Sequence, residues 1–556
     1  MHKFSQLRSF AVLATGFLLL HSPARLAAQS SNSNQISSGS FRIAGTVVST
    51  TSGHPLARTR VVITDTRNRQ SIQSVLTSED GRFEFEVPAG KYALHGAKRG
   101  FITGSYEEHG QFSTAIVTGA GLDTGNLILR IASAAVLAGK VIDETGDPVR
   151  HAQVTVYRED HQSGVSHIRP FRRESTDDQG AFEVTPLDGG NYFVSASARP
   201  WYAVHPASSQ PSPGVSPPLV DRSSLDVAYP ITYYSDVTEA DEATPIPIRG
   251  GDHVEVDIHL NPVPALRLLF HAPGNGENGF TIPMLQKPAF DGMNTLQGEG
   301  AQMVSPGVYE ITGIAAGRYT VRMPGSANGQ MQEQSEVDLT DDGQELDVSS
   351  GESTSSVKAT VRLLGGDSLP PQLDVALRNG RGRVSSVAEV DAKGEVDFPS
   401  VSPGKYDVLA GSPSKAYSVV RIASQGNETS GHSLNVPAGS SLTVSLSLVG
   451  GAVTVEGMAK RSGKAAPGVM VVLVPKDPES NRELFRRDQS DLDGSFSLQS
   501  VIPGSYTIIA IENAWDMDWA KPAVIAHYCK RGQTVKVGSQ VNESMHLPEP
   551  VEVQTK

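Results

Sequence analysis

The residues able to do chemistry are few and poorly grouped. His546-Leu547-Pro548-Glu549 is the only His-x-x-Glu in the 556-residue chain, and no histidine follows it. A zinc carboxypeptidase needs that pair and a distant third ligand, so that one position on the metal stays open for water. The match therefore reads as chance. His-Glu-x-x-His and Gly-x-Ser-x-Gly are absent. Cys529, the single cysteine, lies near His527 in IAHYCKRG. A thiol nucleophile needs imidazole placed against sulfur, which adjacency in sequence does not supply. It reads as a structural or free thiol. Asp491-Leu492-Asp493-Gly494 resembles part of a calcium loop, but Gln489 and Ser500 occupy the first and twelfth ligand positions, where acidic oxygens belong. That segment, like Asp341-Asp342-Gly343, reads as an Asp-stabilised turn. No catalytic residue, cofactor or metal is expected.

Sugar binding asks for less: a flat aromatic face at the surface, with a polar handle beside it. The three tryptophans are Trp201, Trp515 and Trp519. Trp201 falls nine residues after Tyr192, Trp515 nine after Tyr506, and Phe101 nine after Tyr92. An aromatic at a shared offset is more simply a packing residue. Trp519, Tyr202, Tyr233 and Tyr234 do not follow the offset and are the better ligand-contacting candidates. Trp201 and Trp515 complete the set.

The elements that must position these residues are written repeatedly. Asp177-Asp-Gln-Gly180-Ala-Phe182-Glu-Val184 is followed by Gly190-Asn-Tyr192-Phe-Val194. The same phrase recurs around Gly81, Gly394 and Gly494, and in degraded form from Gly307 to Met323. Its second glycines, Gly90, Gly190, Gly317, Gly404 and Gly504, are separated by 100, 127, 87 and 100 residues. A period of that size means a string of domains, not a solenoid. Asp-x-x-Gly makes a tight turn, and x-Phe-x-Val and Tyr-x-Val alternate as half-buried strands. The phrase predicts a β-hairpin with a core aromatic on each strand, Phe182 and Tyr192. A second phrase precedes it at 41–63, 135–157 and 452–474: strand, Gly-Pro turn, strand. Short apolar strands such as Asn126–Arg130 close the units. Six or seven short strands in roughly 95 residues imply a β-sandwich.

These two phrases, G-x-V-x-x-x-x-G-x-P followed by D-x-x-G-x-F and P-G-x-Y, resemble the carboxypeptidase regulatory-like domain. The resemblance is clearest at 41–131, 133–197 and 452–548. It implies an all-β chain: a tandem array of about five Greek-key β-sandwiches of the prealbumin (transthyretin-like) type, often grouped with carbohydrate-binding-like folds. Related pilin-type sandwiches carry a Lys–Asn isopeptide bond assisted by a glutamate shortly after Gly-x-Tyr. Gly96, Ala196, Ala410 and Ala510 stand near that position here, so no such bond is expected.

Composition bounds the rest. Gly (54) and Pro (35) suit turns between short strands, and 38% hydrophobic residues suffice for cores. A net charge of −13 argues against a nucleic-acid scaffold. Lys3 and Arg8 before an apolar run from Phe10 to Leu20, then Ala24, Ala27 and Ala28, read as a signal peptide. The expected organisation is a signal peptide at 1–28 and a polar linker at 29–40, then sandwiches at 41–132 and 133–262. The second of these carries a Pro/Ser-rich insertion at 203–248. A degraded sandwich at 263–350, sandwiches at 351–448 and 449–548, and a tail at 549–556 complete the chain. The mature chain holds no transmembrane segment, and its oligomeric state is open. The expectation is an exported, elongated, non-enzymatic binding or structural protein of the periplasm, outer surface or extracellular space, with a glycan as the most specific partner. The alternative is an accessory component of an envelope complex that engages an envelope protein, with a peptidase- or transport-associated role third.

Overall fold

A computed structural model describes residues 40–556, except 69–70, 120, 206–223, 272–283, 297–300, 306–307, 325–330, 348–354, 365–367, 381–383, 414, 425–426, 452 and 539–543. The expected signal peptide, all of the linker but Ser40, and most of the Pro/Ser-rich stretch lie outside the described residues. The chain is all-β. Among the described residues the one α-helix is Pro522–Cys529, and no helix is long and apolar enough to cross a membrane.

Alternation in sequence becomes alternation in burial. Along Arg82–Val87 the buried residues are Phe83, Phe85 and Val87; along Leu127–Ile131 they are Leu127, Leu129 and Ile131. In the first sandwich, Phe41–Ser49 pairs antiparallel with Arg82–Val87 and parallel with Leu127–Ile131. The facing sheet holds Ser71–Leu76, Arg60–Asp65 and Gly90–Ala97, flanked by Gly104–Ser105 and Ile116–Thr118. The plan returns along the chain. Each opening strand, at Phe41, Ala135, Leu266, Ser355 and Val453, has a strand from the end of its own unit running parallel beside it. Between them lie continuous apolar cores, one centred on Tyr192 and Phe182, another on Tyr406 and Phe398, another on Tyr506 and Phe496.

The expected hairpin is not one. Ala181–Leu187 pairs with Ala135–Ile142, whereas Gly190–Ser197 pairs with Gln153–Asp160 in the opposite sheet. The Gly-x-Tyr turn therefore carries the chain across the sandwich, and Phe182 and Tyr192 enter the core from opposite faces. The tyrosine itself holds this crossing. Tyr92 Oη donates to Pro88 O at 2.9 Å, Tyr192 to Asp188 O at 2.9 Å, and Tyr319 to Ala315 O at 2.7 Å. Tyr406 donates to Ser402 O at 2.8 Å and Tyr506 to Ile502 O at 2.6 Å. In every copy the phenol satisfies the carbonyl four residues earlier, as in the tyrosine corner of other sandwiches. Burial pushes the Tyr506 phenol up to about 12, so it stays a donor at neutral pH.

Two glycines per phrase have separate reasons. Gly494 sits at φ +82°, where a side chain would be strained, and a Cβ there would lie 2.6 Å from Ala459 O. Gly139, in the opening strand, has ordinary backbone but no room: a Cβ would lie 1.7 Å from Val256 O and 3.1 Å from the Phe182 ring. The G of G-x-V is thus the seat of the aromatic in D-x-x-G-x-F.

One boundary differs from expectation. Val551–Gln554, placed in the tail, is a strand that pairs parallel with both Val453–Arg461 and Gly504–Ile511. The 263–350 region, degraded in sequence, still builds two four-stranded sheets around Phe270, Tyr319 and Val321. Its strands survive because alternation and the Tyr319 corner survive, even though the Asp-x-x-Gly turn does not.

Replacing Tyr506 by Phe should leave the Ile502 carbonyl buried without its donor and cost about 1–2 kcal/mol. Urea unfolding followed by the fluorescence of Trp515 and Trp519, both in the last sandwich, checks this. An unchanged midpoint would mean that the corner hydrogen bond is not a stabilising element.

Candidate binding site

The sequence candidates separate sharply once placed. Trp519 is 5% exposed and Tyr233 fully buried, so neither offers a ring face to a ligand. Both are corrected from binding candidates to core residues. In the last sandwich Met470–Pro475 is buried along both faces. Its outer face, with Ile509 and Ile511, is covered by Ala514, Met517, Trp519 and Ile525 of the following segment and helix. Trp519 is the lid of that second core, and its Nε1 is buried with no hydrogen-bond partner among the described residues. Tyr233 packs with Tyr157 and Phe290 where the second and third sandwiches meet, and Asn294 Nδ2 donates to both phenols. Tyr234 is half-buried against the second core.

Trp201 moves the other way. The shared nine-residue offset suggested packing, and Phe101 does pack on the first core and Trp515 on the last. Trp201 is 88% exposed. Its ring meets that of Tyr202 edge-on, 5.8 Å between centroids and 88° between planes. The Tyr202 hydroxyl donates to Glu144 Oε1, and Tyr229 Oη donates to Glu144 Oε2 at 2.8 Å. Partial burial works to raise the Glu144 carboxyl, but the two phenol donors hold it below the usual carboxylate range. Burial and that carboxylate push the Tyr229 phenol well above its usual range, so it remains protonated. The residues just before Trp201, Arg199 and Pro200, line a cleft of about 420 Å3 with Arg150, His205, Tyr229 and Tyr319. The second and third sandwiches share its walls.

Trp515 stands at a junction that no spacing in the sequence announces. The last sandwich folds back onto the first, so the expected elongated string is corrected to a closed one. Lys91 Nζ donates to Asp491 Oδ2 at 2.6 Å and to Ser495 Oγ at 2.7 Å. Asp491 Oδ1 accepts from Ala115 N at 3.1 Å, and Leu492 N donates to Ala115 O at 3.0 Å. Gln489 Nε2 reaches Glu107 O and Thr114 Oγ1 at 2.6 and 2.8 Å. Burial keeps the Asp491 carboxyl above its usual range even though Lys91 opposes the shift. The His109 ring stacks on Trp515 at 4.5 Å and 9°. The second sandwich closes the triangle: Ser166 N donates to Asp518 Oδ1 at 2.7 Å, and Ala520 N to Gly164 O at 2.8 Å. A cleft of about 460 Å3 remains where the three meet, lined by His109, Arg158, His161, Arg169, Phe171, Arg487 and Trp515 among others.

The residues weighed for catalysis or metal are occupied structurally. Asp491 and Asp493 hold the turn and the junction, with Asp493 Oδ1 accepting from Ser495 N at 2.9 Å. Asp342 binds Arg267 at 2.7 Å. His546 faces Glu456 at 3.2 Å. Burial raises the Cys529 thiol, the opposite of an activated thiolate. No group of three metal-ligating side chains occurs among the described residues.

Residues 42–118 match the model of the carboxypeptidase regulatory-like domain, as the sequence resemblance implied. Residues 448–535 match the model of the second β-sandwich domain of NOMO1-like subunits of the BOS complex. No curated protein matches the chain. Among solved structures, the Bacillus anthracis TIE protein is 12% identical over 76% of both chains, with a TM-score of 0.17. A streptococcal ancillary pilin is 11% identical over 55% of this chain and 98% of its own, with a TM-score of 0.20. The minor pilin GBS52 of Streptococcus agalactiae is 14% identical over 40% and 97%, with a TM-score of 0.19.

Replacing Lys91 by Met should strand Asp491 in a partly buried site and weaken the docking of the first and last sandwiches by about 1–2 kcal/mol. Hydrogen exchange at Ala115 and Leu492 should then accelerate while the tyrosine corners stay protected. Equal protection in both proteins would show that the ion pair does not hold the junction.

Proposed function

We propose that this chain is a non-enzymatic exported protein whose docked β-sandwiches form a structural platform for binding a glycan at or outside the cell envelope. The observation that carries the glycan reading is Trp201: a large ring 88% exposed, braced edge-on by Tyr202, which is itself tied to Glu144. An exposed indole beside a polar cleft suits a pyranose ring, whose C–H face stacks while its hydroxyls reach polar groups. The non-enzymatic reading is supported by the use of the acids, histidines and thiol described above in turns, junctions and cores. Export rests on the Lys3–Ala28 segment.

The protein-partner alternative has its own support. The match at 448–535 is to a domain of a complex subunit. Edge strands also carry exposed apolar residues: Ile72 and Leu76 on Ser71–Leu76, and Val384 and Val387 on Val384–Glu389. Such edges can accept a strand from another chain.

A glycan array probed with the purified chain, Trp201→Ala and Tyr202→Ala distinguishes the two. A glycan signal lost at least tenfold in Trp201→Ala is the expected result. A signal indifferent to Trp201, or none on any glycan while an envelope protein is captured, would remove the glycan reading.

A further inference from the structure

The cleft shared by the first, second and last sandwiches holds a cation with no anionic partner among the described residues. The Arg487 guanidinium lies 4.5 Å from the ring centroid of Phe112, 5.1 Å from that of Trp519 and 5.5 Å from that of Trp515. Among the described residues its side chain has no hydrogen bond and no carboxylate within ion-pair distance. Three other arginines show the common alternative, an ion pair: Arg42 with Glu84 at 2.8 Å, Arg378 with Asp407 at 3.0 Å and Arg461 with Glu512 at 2.7 Å. Burial lowers the Arg487 guanidinium to about 10, so it is partly desolvated yet charged at neutral pH.

The other charges of the cleft sharpen this. Arg169 also lines it, is exposed, and has no side-chain partner among the described residues. Arg158 is neutralised by Asp188 at 3.0 Å. Of the acids, Asp516 is paired with Lys556 Nζ, whereas Glu159 and Asp160 stay anionic and accept from neutral donors: Glu159 from Ser166 Oγ at 2.6 Å and Asn191 Nδ2 at 2.9 Å, Asp160 from Gln162 N at 3.1 Å. What the Arg487 and Arg169 forks lack is a planar oxyanion, which a guanidinium matches in two hydrogen bonds. Its walls include the rings of Phe171, 41% exposed, and Trp515. A volume of about 460 Å3 suits a small ligand.

We propose that this cleft binds an acidic saccharide of the uronic-acid class, its carboxylate on Arg487 and Arg169 and its pyranose ring against Phe171. An acidic peptide would bring the carboxylate without a ring to fill the aromatic wall. The site shares no residue with the Trp201 surface and is independent of it.

Titration of the full chain with a galacturonate trisaccharide, read by Trp fluorescence and by calorimetry, tests this. Binding should weaken about tenfold or more in Arg169→Ala and in Arg487→Gln, and should weaken further as salt is raised. Because Arg487→Gln also removes packing between sandwiches, Arg169→Ala at an exposed side chain decides the matter if Arg487→Gln alters the circular dichroism. Absence of binding, or affinity unchanged in Arg169→Ala, overturns the proposal. Equal affinity for a neutral maltotriose overturns the role of charge. Equal affinity for a tri-glutamate peptide, lost in the same variants, overturns the saccharide.

Discussion

A phenol hydroxyl donating to the carbonyl four residues earlier recurs at Tyr92, Tyr192, Tyr319, Tyr406 and Tyr506. It does two jobs at once. It satisfies a carbonyl at the bend, where the strand ladder has just ended, and it plants the largest ring of the unit in the middle of the core. With that corner held, the strand before it belongs to one sheet and the strand after it to the other. Everything else in a unit follows from this crossing: the opening strand gives up a side chain at Gly45, Gly139 or Gly457 to seat the opposing aromatic, and the closing strand runs beside it.

The same turns that build each sandwich also join them. The Asp-x-x-Gly turn at Asp491 is an ordinary tight turn within its own unit, since Asp491 N bonds Ser495 O and Gly494 N bonds Asp491 O. Its carboxylate is left to face outward, and there the first sandwich supplies Lys91 and Ala115 N. In the equivalent turn of the second unit, Asp177 Oδ1 accepts from Gln179 and Ala181 N and stays in its own turn. One repeated turn thus serves two ends, and which end depends on what is packed against it. With no disulfide to staple a chain that has a single cysteine, these polar contacts and apolar cores hold the junctions.

The candidate aromatics show how far spacing reaches. A shared offset after the corner tyrosine placed Phe101, Trp201 and Trp515 in one class, yet their surroundings differ: two pack on cores and one stands in solvent. Offset describes where a residue leaves the strand, not what the neighbouring unit places over it. The burial of Trp519 was closer to legible. The runs Met470-Val-Val-Leu-Val474 and Ile508-Ile-Ala-Ile511 are apolar on consecutive residues, the pattern of a strand covered on both faces. Something after residue 511 had to cover the outer face, and the Trp515–Ile525 stretch is the apolar segment at hand. Arg487, His109 and Phe112 had no such signal, because they meet only through the docking of units distant in sequence, Arg487 lying 375 residues after Phe112.

Local and periodic features were within reach of the sequence alone. Alternation set the strands, Asp-x-x-Gly and Gly-x-Tyr set the turns, and their recurrence at domain-sized intervals set a string of all-β sandwiches, because each depends on contacts within a few residues or within one unit. Which strands pair across a turn was not within reach: the same alternation serves a hairpin and a sheet-to-sheet crossing, and the choice rests on a hydrogen bond and a packed ring. Nor was the contact of the last sandwich with the first two. That contact selects among many solvent-facing polar residues the few that find partners, and it leaves Arg487 charged, ringed by aromatics and without an ion-pair partner among the described residues.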